Sequence, residues 1–162
     1  MDKKLLAELN RFLGKATLAT YAGSGPEADP EEAGFKELEY KEGKWDYKDS
    51  YSGFFQSWGR ETVWLNGNPV WAQLYGGGMV KKFQHHKDFA HTTFDFLKKA
   101  LSAGEKQEKF QPRGPKKFAI ENWKYTCAWK GNISDFKGNE KIIFKGKIVF
   151  THYFFGGLIV SK

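Results

Sequence analysis

The residues best placed to do chemistry are carboxylates that fall on the apolar faces of expected strands. Over residues 44–51, Trp45, Tyr47, Asp49 and Tyr51 share one face, and Asp46, Lys48 and Ser50 share the other. Over residues 140–144, Ile142 and Phe144 mark the apolar face and Glu140 shares it, with Lys141 opposite. Glu61 has the parity of Val63 and Leu65 in the same way. An ionised carboxylate on an apolar face is unfavourable unless it is paired or hydrogen-bonded. Glu61 and Glu140 are expected at strand starts, where capping a backbone N–H or meeting a lysine is the plainer role. Asp49 lies in mid-strand between aromatics, which makes it the sharper functional candidate. Asp49 and Glu61 together could also serve as an acid–base pair.

The other reactive residue types give less. His152 alternates with Phe150 and Phe154, a pattern that suits a pocket position, although a structural role is the commoner one for such a histidine. His85, His86 and His91 do not have a zinc-helix spacing. Cys127 is the only cysteine, so an intrachain disulfide and a Cys-rich metal site are both excluded, and no basic neighbour favours its thiolate. Gly76, Gly77 and Gly78 lack the following Lys-Ser/Thr and helix of a phosphate-binding loop, and read as a bend or bulge ending a strand. No metal and no cofactor is expected.

The elements that must position these groups are written twice. Trp45 falls on Trp123, Tyr47 on Tyr125 and Gly53 on Gly131. After one inserted residue, Gly59 falls on Gly138, Glu61 on Glu140, Gly67 on Gly146, and Gly77-Gly78 on Gly156-Gly157. The first half opens with an amphipathic helix over residues 3–19, with Asp2 as its N-cap. The F-L-G-K-A within it corresponds to F-L-K-K-A in a second helix over residues 88–102. Acidic residues 23–34 and basic residues 104–117 are the matching loops. Strands are expected at 35–40, 44–51, 61–65 and 70–75, the last two joined by the N-G-N-P turn. In the second half they are expected at 118–129, 140–144 and 147–154. The fold class is therefore α+β: internally duplicated α-β-β-β(β) units, with two helices packed on a curved antiparallel sheet. Residues 1–162 form a single domain of two pseudo-symmetric repeats, about 1–80 and 81–162.

Composition bounds the partners. Of 26 basic residues only Arg11, Arg60 and Arg113 are arginine, and the formal charge is +7. In the linear sequence the lysines are scattered, which argues for a solvated surface and makes a nucleic-acid partner unlikely. No apolar run is long enough to span a bilayer, and M-D-K-K-L-L has no signal-peptide core, so a cytoplasmic protein without a membrane partner is expected.

Residues 12–22 (F-L-G-K-A-T-L-A-T-Y-A), 49–53 (D-S-Y-S-G) and 58–71 (W-G-R-E-T-V-W-L-N-G-N-P-V-W) resemble the central motifs of a prokaryotic family of domains of unknown function. That family occurs alone and C-terminal to Cro/repressor-type helix-turn-helix regulators. The resemblance implies a helix-turn-helix regulator in trans as a partner, since this sequence carries no such module, and it supplies no assigned chemistry. The functional expectation is a small-molecule-binding or sensing module. Its pocket would be lined by Tyr51, Trp64, Trp71 and Tyr75 and anchored by Asp49 and Glu61, with Glu140 and His152 as further site residues. An enzyme using the Asp/Glu pair, and a nucleic-acid or protein interaction module using the lysine-rich surface, are the alternatives.

Overall fold

A computed structural model describes residues 1–104 and 109–160. Helix α1 (Lys3–Ala19) starts where the Asp2 carboxylate accepts the Leu5 N–H at 2.8 Å. Its apolar stripe buries Leu9, Phe12 and Ala16. It ends at Thr20, whose hydroxyl turns back to donate to the Ala16 carbonyl at 2.7 Å. Four strands follow: β1 (Lys36–Glu42), β2 (Trp45–Gly53), β3 (Gln56–Leu65) and β4 (Asn68–Met79). A single 3-10 turn (Lys81–Phe83) leads into α2 (Lys87–Gly104). Then come β5 (Lys117–Ile120), β6 (Trp123–Asn132), β7 (Asp135–Phe144) and β8 (Lys147–Leu158).

All eight strands form one open antiparallel sheet in the order β1-β2-β3-β4-β8-β7-β6-β5. The two halves of the chain meet only through β4 and β8 in this order, and their register is symmetric: Trp71↔Leu158 and Met79↔Phe150 lie equally far on either side of Tyr75↔Phe154. Helix α1 lies over β1 and β2, α2 lies over β5 and β6, and the helices touch each other. The fold is thus α+β, with both helices on one face of the sheet. Between them and the sheet is the core, built from stacked or tilted aromatic pairs such as Phe12–Trp45, Phe96–Trp123 and Trp71–Phe136.

Several elements differ from the sequence reading. The single strand expected over 118–129 is a hairpin, because Glu121 adopts a left-handed conformation (φ 51°) and turns β5 into β6. Strands β3 and β7 begin five residues before Glu61 and Glu140, so both glutamates lie in mid-strand and cap nothing. Gly76, Gly77 and Gly78 do come at the end of a strand, just before its last residue Met79, but they keep the regular register of both neighbours and form no bulge. The glycines are needed for close approach: a side chain at Gly78 would run into the Phe55 carbonyl oxygen. In the loop expected over 104–117, residues 105–108 lie outside the described residues; residues 109–116 fold inward and reach the core.

Candidate functional site

A cavity of about 270 Å³ lies between the inner face of the sheet and the two helices. Strand periodicity aims Tyr47, Asp49 and Tyr51 of β2, Glu61 of β3, Tyr75 of β4 and His152 of β8 into it. Thr20 and Tyr21 at the end of α1, and Phe94 and Lys98 of α2, close it from the helix side. Arg113 enters from the loop before β5, which Pro112 and Pro115 bracket.

Arg113 is the hub of the buried polar groups. Its Nη1 donates to Glu61 Oε1 at 3.0 Å and its Nε donates to Glu140 Oε1 at 3.1 Å. The guanidinium also lies over the Tyr75 ring, 4.8 Å from its centroid. Glu140 is fully buried and fully engaged: Oε2 accepts the Tyr125 hydroxyl at 2.6 Å, and Oε1 faces His152 Nδ1 at 3.2 Å. The Tyr125 oxygen in turn accepts the Gly114 N–H at 3.0 Å, which fixes the arginine-bearing loop to the sheet. Glu61 receives a second donor from Gln73 Nε2 at 3.2 Å. Asp49 stands apart from this network. Among the described residues its one side-chain donor is the Tyr75 hydroxyl, at 2.7 Å.

The electrostatics follow from one cation shared among several buried acids. Burial would raise Glu140, but Arg113, His152 and the Tyr125 hydroxyl together hold it down at about 2, so it is ionised. Burial pushes Glu61 upward, and the neighbouring Asp49 and Glu140 charges add to this against the pull of Arg113. Burial raises Asp49 to about 6, with the Tyr75 hydrogen bond and Arg113 opposing. Burial also drives Tyr75 well above its ordinary value, so it is a donor and not a phenolate. His152 is pushed down by burial, although the Glu140 carboxylate and the Gly77 carbonyl favour its protonated ring. Because ionised Glu140 can only accept, Nδ1 is assigned the proton, which leaves Nε2 a bare acceptor. That atom is buried and has no hydrogen-bond partner among the described residues.

The structure brings Asp49, Tyr51, Glu61, Tyr75 and His152 together around the cavity, while Glu140 stands behind it, joined through Arg113 and His152. Trp64 and Trp71 do not line it. Trp64 pairs with Asp46 on the outer face, since its parity is opposite to that of Glu61 and Val63. Trp71 is core: its Nε1 donates to the Ile133 carbonyl at 3.0 Å, and it borders a separate hollow of about 300 Å³ with Glu61 and Pro112. Sequence reasoning missed Arg113, Tyr125 and Gln73. The available signal for Arg113 was its rarity, one of three arginines, set between prolines in a basic loop. Cys127 is buried, and burial next to Glu140 pushes its thiol up to about 12, so it is unreactive. Among the described residues no group of three or more His, Cys, Asp or Glu is placed to hold a metal ion. Among the described residues no helix is long and apolar enough to cross a membrane.

No curated protein and no solved structure matches the chain. A family model covers residues 49–159, a span that takes in Asp49, Glu61, Arg113, Glu140 and His152, and the chain belongs to that family, a domain of unknown function (DUF5680).

Proposed function

We propose that the chain binds a small organic molecule in the cavity between sheet and helices, with Asp49 as the charged anchor. The observation that carries this is a buried carboxylate, held by one tyrosine hydroxyl, that borders open volume instead of an internal cation. With Asp49 raised only to about 6 it is mostly ionised at neutral pH. Arg113 is already committed to Glu61 and Glu140, so the cavity keeps an excess of negative charge. Such a site suits a ligand with an ammonium or other strong donor, packed against tyrosine rings. At about 30 Å³ per water, 270 Å³ holds roughly nine waters, the size of a small metabolite and not of a polymer. The bare Nε2 of His152 offers a second hydrogen-bonding point. An Asp49/Glu61 acid–base pair is the weaker reading, because Glu61 Oε1 already serves Arg113 and Gln73.

Sensing is the task that such a site supports best. The motif resemblance extends this reading to a prokaryotic, cytoplasmic protein working with a helix-turn-helix regulator in trans. The symmetric strand order and β4–β8 register support a single domain made of two repeats, about 1–80 and 81–162. The test is a thermal-shift screen of metabolites against the wild type and Asp49→Asn. A true ligand stabilises the wild type and binds the variant about 1–3 kcal/mol more weakly, through loss of a charge-assisted hydrogen bond. Ligands that stabilise both proteins equally rule out Asp49 as the anchor.

A further inference from the structure

The face of the sheet opposite the helices carries an open apolar and basic surface that the cavity does not involve. Residues that alternate away from the core form two rows across five strands, β3, β4, β8, β7 and β6. One row runs Trp58, Gly76, Tyr153, Asn139, Ala128, and the next runs Arg60, Leu74, Phe155, Lys137, Lys130. Trp58 is 67% exposed, Tyr153 65% and Phe155 58%, well above what buried-face aromatics retain. The Trp58 ring lies across Gly76, where a Cβ would overlap it, so the glycine lets the indole lie against the strand. Beside Tyr153 and Phe155 is a shallow groove bordered by Ala128, Lys130, Lys137 and Asn139.

Charge on this face is uncompensated. Lys130 and Lys137 are direct cross-strand partners, an arrangement that is unfavourable in isolation, and no carboxylate among the described residues pairs with either. Arg60, Lys124 and Lys141 share their side of the sheet, and Asp135, by the β6–β7 turn, is the one acid there on β6 to β8. The β1–β2 side is different: its Lys48 is held by Glu31, Glu37 and Glu39. The lysines that look scattered along the sequence are therefore gathered by the sheet into one patch, among exposed rings.

We propose that this face binds single-stranded nucleic acid, with Trp58, Tyr153 and Phe155 as stacking platforms and Arg60, Lys130, Lys137 and Lys141 as phosphate contacts. Tyr153 and Phe155 are two residues apart on one strand, about 7 Å, which spaces bases splayed out of a stack. An open sheet of flat rings has no helix or ribbon to enter the groove of a duplex, so the single strand is the form that fits. A second copy of this chain laid face to face on it fits less well, because one basic patch would meet another of the same sign, with Asp135 as the one acid on this face of β6 to β8.

The experiment is fluorescence anisotropy of a short labelled oligothymidylate titrated with the full chain at low salt, together with quenching of tryptophan emission. Saturable binding is expected, weakening with salt at a log–log slope of about −3 for roughly four phosphate contacts at about 0.7 each. Replacing Tyr153 and Phe155 with serine should weaken binding at least tenfold and leave most of the slope. Lys130→Glu with Lys137→Glu should flatten the slope by about 1.4. Circular dichroism should report an unchanged fold in both variants, since all four side chains are exposed. The proposal is overturned by the absence of saturable binding at low salt, by equal affinity for a duplex of the same length, or by binding that the aromatic variant leaves unchanged. It is equally overturned if polyglutamate competes as well as the oligonucleotide. It also falls if sedimentation finds a dimer that the Tyr153/Phe155 variant dissociates, which would make the face a self-interface.

Discussion

The buried carboxylate of Asp49 is held in its place against its own titration, and that has a measurable sign. Asp49 is raised from 3.8 to about 6 by burial. An acid with a raised folded value is protonated equally in both states at low pH. Between pH 3.8 and about 6 the unfolded chain loses the proton first, so stability falls as pH rises through that window. A rise from 3.8 to about 6 corresponds to about 3 kcal/mol, fully expressed above pH 6. Asp49→Asn keeps an acceptor oxygen for the Tyr75 hydroxyl and removes the charge. The variant is therefore expected to gain on the wild type by about 3 kcal/mol between acid and neutral pH, or roughly 6–12 °C in Tm for a chain of this size. The assay is urea unfolding of both proteins at a series of pH values spanning that window. A difference that stays constant with pH, or one that turns against asparagine as pH rises, refutes the assignment of Asp49 as a buried, uncompensated carboxylate. A gain of the expected size would mean the fold retains a residue that destabilises it, which is the pattern of a functional site.

Three further outcomes follow from the same geometry. Arg113→Met leaves Glu61 and Glu140 buried without their cation and should cost about 3–5 kcal/mol in chemical denaturation, with partial recovery in Arg113→Met/Glu140→Gln; a loss below about 1 kcal/mol would show the pair is not effectively buried. The His152 ring should titrate below 6.5 by NMR and carry its proton on Nδ1 when neutral, so its contribution to stability is present above pH 6.5 and lost as pH falls; titration above 6.5 would contradict its burial. Gly78→Ala should cost about 1–3 kcal/mol, because the new Cβ meets backbone oxygen at φ 153°, and a neutral result by thermal melting would refute that close approach.

What the sequence made legible is what obeys a short period. The alternation in β2 aims Asp49 beside Tyr47, and the alternation in β3 and β7 aims Glu61 and Glu140 inward, because a side-chain period of two is set locally. The α1 cap and stripe were legible for the same reason. Trp64 was misplaced although the same alternation bears on it: it has the opposite parity to Glu61, Val63 and Leu65, so the period that aims those inward turns Trp64 to the outer face beside Asp46. The β5–β6 turn was missed because Glu121-Asn122 contains neither glycine nor proline. Arg113 could not be placed at all. It is far from Glu61 in sequence, sits in a loop, and gains its meaning only when the sheet brings Glu61 and Glu140 within reach of one guanidinium.

That guanidinium also accounts for why a cavity opens on one side of the molecule. On the proposed duplication, Glu140 and Tyr125 correspond to Glu61 and Tyr47, while Asp49 and Tyr75 correspond to Cys127 and Phe154. In the second half the carboxylate is satisfied internally: Arg113, His152 and Tyr125 all converge on Glu140, and the Gly114 N–H ties the loop to Tyr125. The loop thereby occupies the space beneath that half, with Pro112, Gly114 and Pro115 buried. In the first half Asp49 adds a negative charge at a position the second half fills with a thiol, and one shared arginine is too little cation to neutralise it. A carboxylate without its own cation, beneath a loop that leaves the space above it open, is the feature on which the proposed cationic ligand rests. On the proposed duplication the two halves would then divide the work, one holding the scaffold together and the other facing the proposed ligand.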